Sequence, residues 1–504
     1  MVAARKIPLW LRASLLTAAS VAVSLTVIQA PAEANGCAGS SVSDFNGDGV
    51  TDVVIADPGA VVSGKQSAGV VHVVDGASGG VVTVSADDVP GLSSEADAQF
   101  GFATAVYDAD KDGCDDLVVS SPFATVSGQA RAGLVAVIHG SSLGVSPSTG
   151  VVWHQDSVGV PGGAEPGDEF GYSLAAGHTH DGKPYLVVGV PGDDVGTIAN
   201  AGMVNYIRDD VKLIFHQDSA GIGGVAEVDD QFGFAVAASP NHVAVGYPGE
   251  AIGAEAGSGG VNVLTHDVSG ATLEQVRILE QEDIDSGLDE AGDRFGAQLS
   301  MVAYVPPGGG SGGSMLAIGV PGEALGQEAQ AGRVVATIAL TSAGTITSVQ
   351  SIHQDVTGVD DDAEEGDSFG WQVRLVNRDP GVPATWQNLL LAVGVPGEDR
   401  GAYLDNGGVQ VFSLVGPPGD HDVWVDDAID SAGFVASDYR LIGRSIGANA
   451  QHLLVADSLA TPPAVYVVPW TALTGESMVT ADVYISGQNG LPVGGSGKFG
   501  WSTA

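Results

Sequence analysis

The segment LAVGVPGED at 391–399 is an apolar run that ends in a small-Pro-Gly-acid turn. A short apolar run bounded by Pro-Gly predicts a buried β-strand followed by a tight turn. Three further clear copies are LVVGVPGDD (186–194), VAVGYPGEA (243–251) and LAIGVPGEA (316–324), and three looser copies are VVIADPGA (53–60), LVVSSPFA (117–124) and LLVADSLATPP (453–463). Seven ordered copies along 504 residues predict a repeat architecture.

Three other elements recur in a fixed order around each apolar run. A Phe-Gly pair precedes it, a Val-rich strand that begins with Gly follows it, and an acidic segment such as HQDSVGV closes the repeat. The Phe-Gly pairs lie at 100–101, 170–171, 232–233, 295–296, 369–370 and 499–500, with Ile-Gly at 442–443 as a weaker copy. Four short strands separated by turn residues are typical of one propeller blade. The sequence therefore predicts an all-β fold, a seven-bladed β-propeller of four-stranded blades.

The two ends of the repeat array suggest how the ring closes. The first repeat has no Phe-Gly, whereas the chain ends with an orphan Phe-Gly in KFGWSTA (498–504). A strand from the C-terminus would complete the first blade and remove both open sheet edges. Segment 38–43 is the alternative inner strand for that blade, and an open solenoid is the alternative to a closed ring.

The repeated Phe-Gly and Gly-x-Pro elements resemble the FG-GAP repeat of integrin α-subunit propellers and their bacterial secreted relatives. The resemblance covers nearly all of residues 35–504. It implies four-stranded FG-GAP blades, cation-binding hairpins in some of them, and a non-enzymatic binding or adhesion role towards an extracellular protein or carbohydrate ligand.

The composition excludes some classes of partner. The chain has 61 acidic against 18 basic residues and a net charge of −43. Nucleic acid is therefore not expected as a partner, and an anionic membrane surface is disfavoured, because both need a positive protein surface. We expect a monomer.

The N-terminal residues 1–34 predict a signal peptide. Arg5, Lys6 and Arg12 precede an apolar stretch at 15–28, and Ala32-Glu33-Ala34 offers a small-x-small cleavage site. The mature chain would be a single propeller over 35–504, secreted, with no further apolar run long enough for a transmembrane segment. A lipoprotein site ending at Cys37 is the alternative, and it would place the protein at the cell surface.

Two segments of the form D-x-[DN]-x-D-G-x-x-D predict calcium sites. Calcium takes six to eight oxygen ligands, and alternating acidic positions with a glycine at position 6 and a backbone carbonyl at position 7 direct oxygens to one point. The apolar strands that follow place both segments in hairpins, as in the cation-binding hairpins of the integrin propeller family. An Asp-Gly turn without a metal is the alternative. The predicted ligands are Asp44, Asn46, Asp48, Val50 and Asp52 in the first segment and Asp108, Asp110, Asp112, Cys114 and Asp116 in the second.

Cys37 and Cys114 are the two cysteines of the chain. In an exported protein such a pair favours a disulfide, which would tie the start of the mature chain to the second repeat. A catalytic thiol is disfavoured because no histidine pattern accompanies either residue.

Two further polar patterns recur by repeat. His-Gln-Asp begins at His154, His216 and His353, and Ala-Glu-x-x-Asp precedes Phe-Gly at Asp168, Asp230 and Asp367. Because catalytic groups normally occur once, recurrence favours a structural role, with the aspartates accepting backbone N–H bonds. His178 and His180 in the third repeat are interpreted as a polar turn in preference to a transition-metal site.

Two other functions are weighed against the binding module. A hydrolase or lyase with its active site in the central channel is possible for a propeller, but G-x-S-x-G, H-E-x-x-H and Cys-His signatures are missing from the sequence. A lectin with one sugar site per blade would need aromatic residues in register. The tryptophans do not repeat in register, which argues against it: Trp10, Trp153, Trp371, Trp386, Trp424, Trp470 and Trp501.

Overall fold

A computed structural model describes Cys37 and residues 43–503, with gaps at 285–288, 306–311, 381, 383, 476–479 and 495–496. The predicted signal peptide over 1–34 lies outside the described residues. Within the described part of the chain, helices are limited to segments of four to six residues: α1 (Gln281–Ile284), α2 (Asp426–Ser431) and α3 (Trp470–Leu473), with 3₁₀ turns at Ala86–Asp88 and Pro418–Asp420. None of these is long and apolar enough to cross a membrane.

The strands form seven antiparallel sheets in chain order, and each sheet is one blade. Blade 1 contains β1 (Val53–Asp57), β2 (Val70–Val74) and β3 (Val81–Ser85). Blade 2 contains β4 (Thr104–Tyr107), β5 (Asp116–Ser121), β6 (Leu134–His139) and β7 (Ser146–Trp153). Blade 3 contains β8 (Ser173–His178), β9 (Pro184–Val190), β10 (Met203–Arg208) and β11 (Val211–Phe215).

The remaining blades repeat the same four-stranded order. Blade 4 contains β12 (Ala235–Ala238), β13 (His242–Tyr247), β14 (Gly260–Ser269) and β15 (Thr272–Leu279). Blade 5 contains β16 (Gln298–Tyr304), β17 (Gly313–Val320), β18 (Arg333–Leu340) and β19 (Ile346–Ile352). Blade 6 contains β20 (Gln372–Asn377), β21 (Leu389–Val395), β22 (Gly408–Ser413) and β23 (Asp422–Trp424). Blade 7 contains β24 (Ile446–Ala448), β25 (His452–Asp457), β26 (Ala464–Pro469) and β27 (Asp482–Ile485).

The hydrophobic core lies between the blades and forms a closed ring. Val54 of blade 1 packs with Leu117 of blade 2, and equivalent apolar clusters join each later pair of neighbours. A last cluster joins blade 7 to blade 1 through Leu454, Ile55 and Phe499. The prediction of a seven-bladed propeller is therefore confirmed, and the open solenoid is wrong.

The C-terminal segment completes blade 1. Ile55 of β1 forms an antiparallel bridge with Thr503. The Ala56 N–H donates to the Ser502 carbonyl at 3.0 Å, and the Gly500 N–H donates to the Ala56 carbonyl at 2.8 Å. Blade 1 has three strands of its own. The C-terminal segment takes the place of its innermost, fourth strand, as the orphan Phe-Gly predicts. Most of the alternative segment 38–43 lies outside the described residues.

The Phe-Gly pairs lock each blade to the one before it. The Phe100 N–H donates to the Ala68 carbonyl at 2.9 Å, and its ring is fully buried between blades 1 and 2. Gly69, at a φ of +87°, lies so close that a Cβ there would be 2.1 Å from the Phe100 carbonyl oxygen. The glycine that begins the Val-rich strand in blades 1 to 6 is therefore required by the approach of the next Phe-Gly or Ile-Gly backbone.

We expect Phe499→Ala to lower the free energy of unfolding by about 3–5 kcal/mol, because it leaves a cavity in the cluster that closes the ring. Val493→Ala is the control, since Val493 is 86% exposed and its truncation should change stability by less than about 0.5 kcal/mol. Denaturant titration of both variants measures the difference. Equal midpoints would show that the ring does not depend on this closure.

Candidate metal centres and buried acidic sites between blades

The first predicted calcium loop (residues 44–52) directly precedes β1. The second loop (residues 108–116) ends at the first residue of β5. In the first loop the Asp48 N–H donates to Asp44 Oδ1 at 3.1 Å and to Asn46 Oδ1 at 2.9 Å. The Gly49 N–H donates to Asp44 Oδ2 at 2.8 Å, and the Val50 N–H donates to Asp48 Oδ1 at 2.8 Å. The side chains at positions 1, 3 and 5 are thus turned onto one side of the loop backbone.

The second loop repeats this hydrogen-bond pattern. The Asp112 N–H donates to Asp108 and to Asp110, at 3.2 Å in both cases. The Gly113 N–H donates to Asp108 at 3.1 Å, and the Cys114 N–H donates to Asp112 at 2.8 Å. Carboxylate oxygens of Asp108, Asp110 and Asp112 lie within 4.8 Å of one another, so this set of hard oxygen donors suits a calcium ion.

The acid at position 9 is buried in both loops and braces the hairpin. Asp52 accepts the Phe45 N–H at 3.1 Å and the Gly76 N–H at 2.9 Å. Asp116 accepts the Ala109 N–H at 2.7 Å and the Gly140 N–H at 2.8 Å. Burial raises the pKa of Asp52 to about 6, and it also raises the pKa of Asp116. Each of these carboxylates retains lone pairs that a cation could use.

His139 joins the second loop from the end of β6, and sequence reasoning missed it. Its Nδ1 lies 3.4 Å from Asp116 Oδ2 and 3.6 Å from Asp110 Oδ2. The histidine follows the loop by more than twenty residues, so the loop pattern gives no signal for it. In the described part of the chain, groups of three metal-capable side chains occur at this loop and its disulfide, and His178 and His180 are not among them.

Cys37 and Cys114 form a disulfide, with their Cα atoms 4.9 Å apart. The bridge lies between the two loops, because Cβ atoms added at Gly47 and Gly113 would clash with Cys37. The loops also contact each other directly, since the Asp115 N–H donates to the Asp44 carbonyl at 3.1 Å. The disulfide and this hydrogen bond join the two loops, so we expect a change in one loop to alter the other.

A second kind of acidic site recurs between the later blades. The acid of each Pro-Gly-acid turn accepts a hydrogen bond from the glutamine that starts the preceding inter-blade loop. Gln155 Nε2 lies 2.5 Å from Asp193 Oδ2, and Gln354 Nε2 lies 2.5 Å from Glu398 Oε2. The equivalent pairs are Gln217 with Glu250 and Gln281 with Glu323.

The aspartates before Phe-Gly complete these sites. Asp168 accepts the Glu165 N–H at 2.6 Å, and Asp230 and Asp367 do the same in their loops. Their predicted role as acceptors of backbone N–H bonds is confirmed. Asp293 of the fourth loop forms the same contact with the Glu290 N–H at 2.9 Å, although that loop lacks the Ala-Glu-x-x-Asp pattern.

Burial raises the pKa of both carboxyls in three of these inter-blade sites, which contain Asp193, Glu250 and Glu398. It raises the pKa of Asp193 to about 8 and that of Glu398 to about 9, and the nearby Asp168 and Asp367 carboxylates add to the effect. The same cause raises the pKa of Asp168 and of Asp367 to about 7. At neutral pH these sites therefore hold protons that an unfolded chain would have released.

We expect the free energy of unfolding to fall as the pH rises from about 5 to 9. The folded carboxyls titrate above their unfolded values near 4, so their stabilising contribution is present at low pH and is lost as the pH passes their folded pKa values. Denaturant midpoints at several pH values in EDTA and constant salt measure the slope. The double variant Asp193→Asn with Glu398→Gln should flatten it, and an unchanged slope would mean that other groups titrate.

The central channel is lined by the inner strands of the blades and encloses a cavity of about 780 Å³. The residue that follows each Phe-Gly lies at one mouth of this channel. These seven equivalent positions are Phe102, Tyr172, Phe234, Ala297, Trp371, Arg444 and Trp501. The expectation that the tryptophans share no register is wrong for Trp371 and Trp501. A comparison of all aromatic residues that follow Phe-Gly, and not of tryptophan alone, would have revealed that aromatic side chains recur at this position.

The FG-GAP repeat family matches residues 38–74 and 100–138, which include the whole of both loops. Integrin alpha-7 of Mus musculus is 29% identical over 209 residues, covering 40% of this chain and 16% of the relative. Phosphatidylinositol-glycan-specific phospholipase D of Rattus norvegicus is 34% identical over 108 residues, covering 21% of this chain and 13% of the relative. The chain thus spans less than a fifth of the length of these two relatives.

Among solved structures, a putative 6-phosphogluconolactonase from Bacteroides fragilis has a TM-score of 0.44 at 10% identity, covering 90% of this chain and 97% of that one. The periplasmic gluconolactonase of Pseudomonas aeruginosa has a TM-score of 0.41 at 13% identity, covering 82% of this chain and 92% of that one. Likeness at this level carries no functional argument.

Proposed function

We propose that this integrin-like FG-GAP β-propeller is a secreted, calcium-stabilised binding module that attaches to an extracellular protein or glycan and has no catalytic activity of its own. The observation that carries the proposal is the pair of acidic hairpin loops, in successive FG-GAP repeats, with one hydrogen-bond pattern. A calcium ion in each loop would hold these exposed acidic hairpins in a fixed shape.

The donor sets support calcium over a transition metal. Carboxylate and amide oxygens at positions 1, 3 and 5 are hard ligands, which calcium prefers. A cation there would also remove the cost of ionising the buried Asp52 and Asp116, because it supplies the positive charge that the loops lack. His139 could add a nitrogen at the second loop, so we expect the two sites to differ in affinity.

The channel supports binding over catalysis. Among its described lining residues there is no aspartate, glutamate, histidine or cysteine. A hydrolase or lyase needs a general acid and base within reach of its substrate, and of the usual residue types only a tyrosine, Tyr172, occurs among the described lining residues. The similarity to integrin alpha-7 extends over 40% of this chain, and the ligand-binding role is proposed from the resemblance of these repeats to integrin propellers.

We expect calcium to raise the melting temperature of the mature chain and EDTA to lower it. With free calcium 100-fold above the dissociation constant, one site adds about 2.7 kcal/mol to the free energy of unfolding. The double variant Asp48→Ala with Asp112→Ala should lose most of this effect, because it removes one charged ligand from each loop. Differential scanning calorimetry with and without calcium measures it.

The matched control is Asp209→Ala with Glu274→Ala, which removes two exposed acids outside both loops. This control should keep the full calcium response, although its net charge changes by the same amount. A calcium response retained by the loop variant, or lost by the control, would place the ions elsewhere.

We expect the folded mature chain to bind at least one ligand class on a combined array of glycans and matrix proteins, and to bind it less well in EDTA. The physical reason is that calcium orders the loops of blades 1 and 2. A blank array with a protein that calorimetry shows to be folded would contradict the binding function. Turnover of a glycan or ester on the same array would favour the hydrolase or lyase.

A further inference from the structure

Aromatic side chains from several blades surround the mouth of the central channel. Four of these side chains follow one another around the axis: Trp501, Phe102, Tyr172 and Phe234. The distance between ring centroids is 5.9 Å from Phe102 to Trp501, 5.1 Å from Phe102 to Tyr172 and 5.0 Å from Tyr172 to Phe234. Trp371, further round the mouth, is 41% exposed. Partly exposed aromatic rings that converge on one opening are a binding surface, since a folded protein normally buries such rings.

The charge of the channel is opposite to that of the protein. The chain carries more than three acids for every base, yet no aspartate or glutamate occurs among the described residues that line the cavity. Three arginines do line it: Arg294, Arg374 and Arg444. A random distribution of this composition would give the reverse, so the lining is a positive site within a polyanion.

These three arginines also lack the partners that other arginines have. Across the described part of the chain, five of the arginines outside the channel pair with carboxylates: Arg131 with Glu169, Arg208 with Asp210, Arg333 with Glu323, Arg400 with Asp426 and Arg440 with Asp457. No carboxylate of the described residues forms an ion pair with Arg294, Arg374 or Arg444. A guanidinium that is left unpaired, in a chain so rich in acids, is available to an anion from outside.

Arg374 is the most enclosed of the three. It points from β20 into the channel and donates within the protein to the Val373 carbonyl at 2.9 Å. Its side chain is partly exposed to the channel, and desolvation by the protein packed around it lowers its pKa to about 10. The arginine is still charged at neutral pH, so an anionic ligand would relieve an uncompensated charge.

Arginine and lysine side chains already lie over some of the aromatic side chains at the mouth. Arg444 lies 5.3 Å and Lys498 lies 5.2 Å from the centroid of Trp501, and Arg294 lies 5.4 Å from that of Phe234. The nearby Arg444 adds to burial in lowering the pKa of Lys498. A cationic ligand would therefore be repelled from this mouth, whereas an anionic one would be attracted.

We propose that the channel mouth binds an anionic saccharide of the uronate class, with its carboxylates on Arg444, Arg294 and Arg374 and a sugar ring face on the exposed Trp371. The cavity of about 780 Å³ has room for several sugar rings. Hydroxyl and amide side chains that line the channel, such as Ser173, Gln298 and Gln372, suit a ligand rich in hydroxyl groups. This inference rests on the proposed binding function and names the ligand class of one site.

The test is titration calorimetry and tryptophan fluorescence of the mature chain with a tetragalacturonate. Maltotetraose, which has the same length without carboxylates, and a tetra-aspartate peptide, which has carboxylates without sugar rings, are the comparison ligands. We expect only the tetragalacturonate to bind and to change the fluorescence, with an affinity that falls as salt rises. Binding of the peptide at equal affinity, or of the neutral sugar, would overturn the uronate assignment.

Variants locate the site. Arg444→Gln and Arg294→Gln, both at the exposed mouth, should each weaken binding about tenfold or more, because each removes one charge-assisted hydrogen bond. Arg374→Gln should weaken it at least as much if that variant folds. Arg131→Gln, which changes an arginine outside the channel, should bind like the wild type. Equal affinity for all variants would overturn the channel site.

The outcomes separate this inference from the broader proposal. A calcium-dependent hit on the array that is insensitive to the three channel variants would leave the binding module intact and remove the uronate site. Tetragalacturonate binding that is lost in the channel variants but unchanged by EDTA would support the site and contradict the dependence of binding on calcium. A folded protein that binds neither the array nor tetragalacturonate would contradict both.

Discussion

The fold depends on sheets that are apolar on both faces. The second and third strands of the blades, such as β9 and β13, are buried along their whole length. A blade of this kind is stable only when a neighbour covers each face, so a row of blades must close on itself. Seven inter-blade clusters and the pairing of Ile55 with Thr503 achieve this closure. The Phe-Gly pair is the local device, because its ring fills the interface while its backbone joins the preceding blade.

Closure also decides where the acids lie. A loop must run from the outer strand of each blade to the inner strand of the next, and its polar backbone has to be satisfied as it passes between sheets. The His-Gln-Asp, Ala-Glu-x-x-Asp and Pro-Gly-acid segments meet at these crossings, where Gln155 contacts Asp193 and Asp168 accepts a backbone N–H. Satisfying the backbone with buried carboxyls raises their pKa values, which makes the stability of the ring sensitive to pH.

Sequence could predict the parts that recur with fixed spacing. Strand order, blade number, the orphan C-terminal Phe-Gly and the two acidic loops all follow from local patterns, since each depends on neighbouring residues. What it missed depends on contacts between repeats. His139 approaches the second loop from another hairpin, and Gln354, after blade 5, contacts Glu398 of blade 6. The aromatic side chains at the channel mouth occupy one repeat position but are of different residue types. That no acidic residue occurs among the described lining residues of the channel could be recognised only once the inward-facing positions of each inner strand were known.

The protein therefore separates its charges in a way that a net value conceals. Acids are concentrated in the hairpin loops and between blades, where a bound cation or a proton can neutralise them. The inner strands carry small and hydroxyl residues together with three arginines. Since like charges on a compact polyanion repel one another, removing acids from the axis lowers repulsion where the blades converge most closely. The same segregation gives the axis a positively charged lining, so the arrangement that lowers repulsion between the blades also produces a surface that favours anionic ligands.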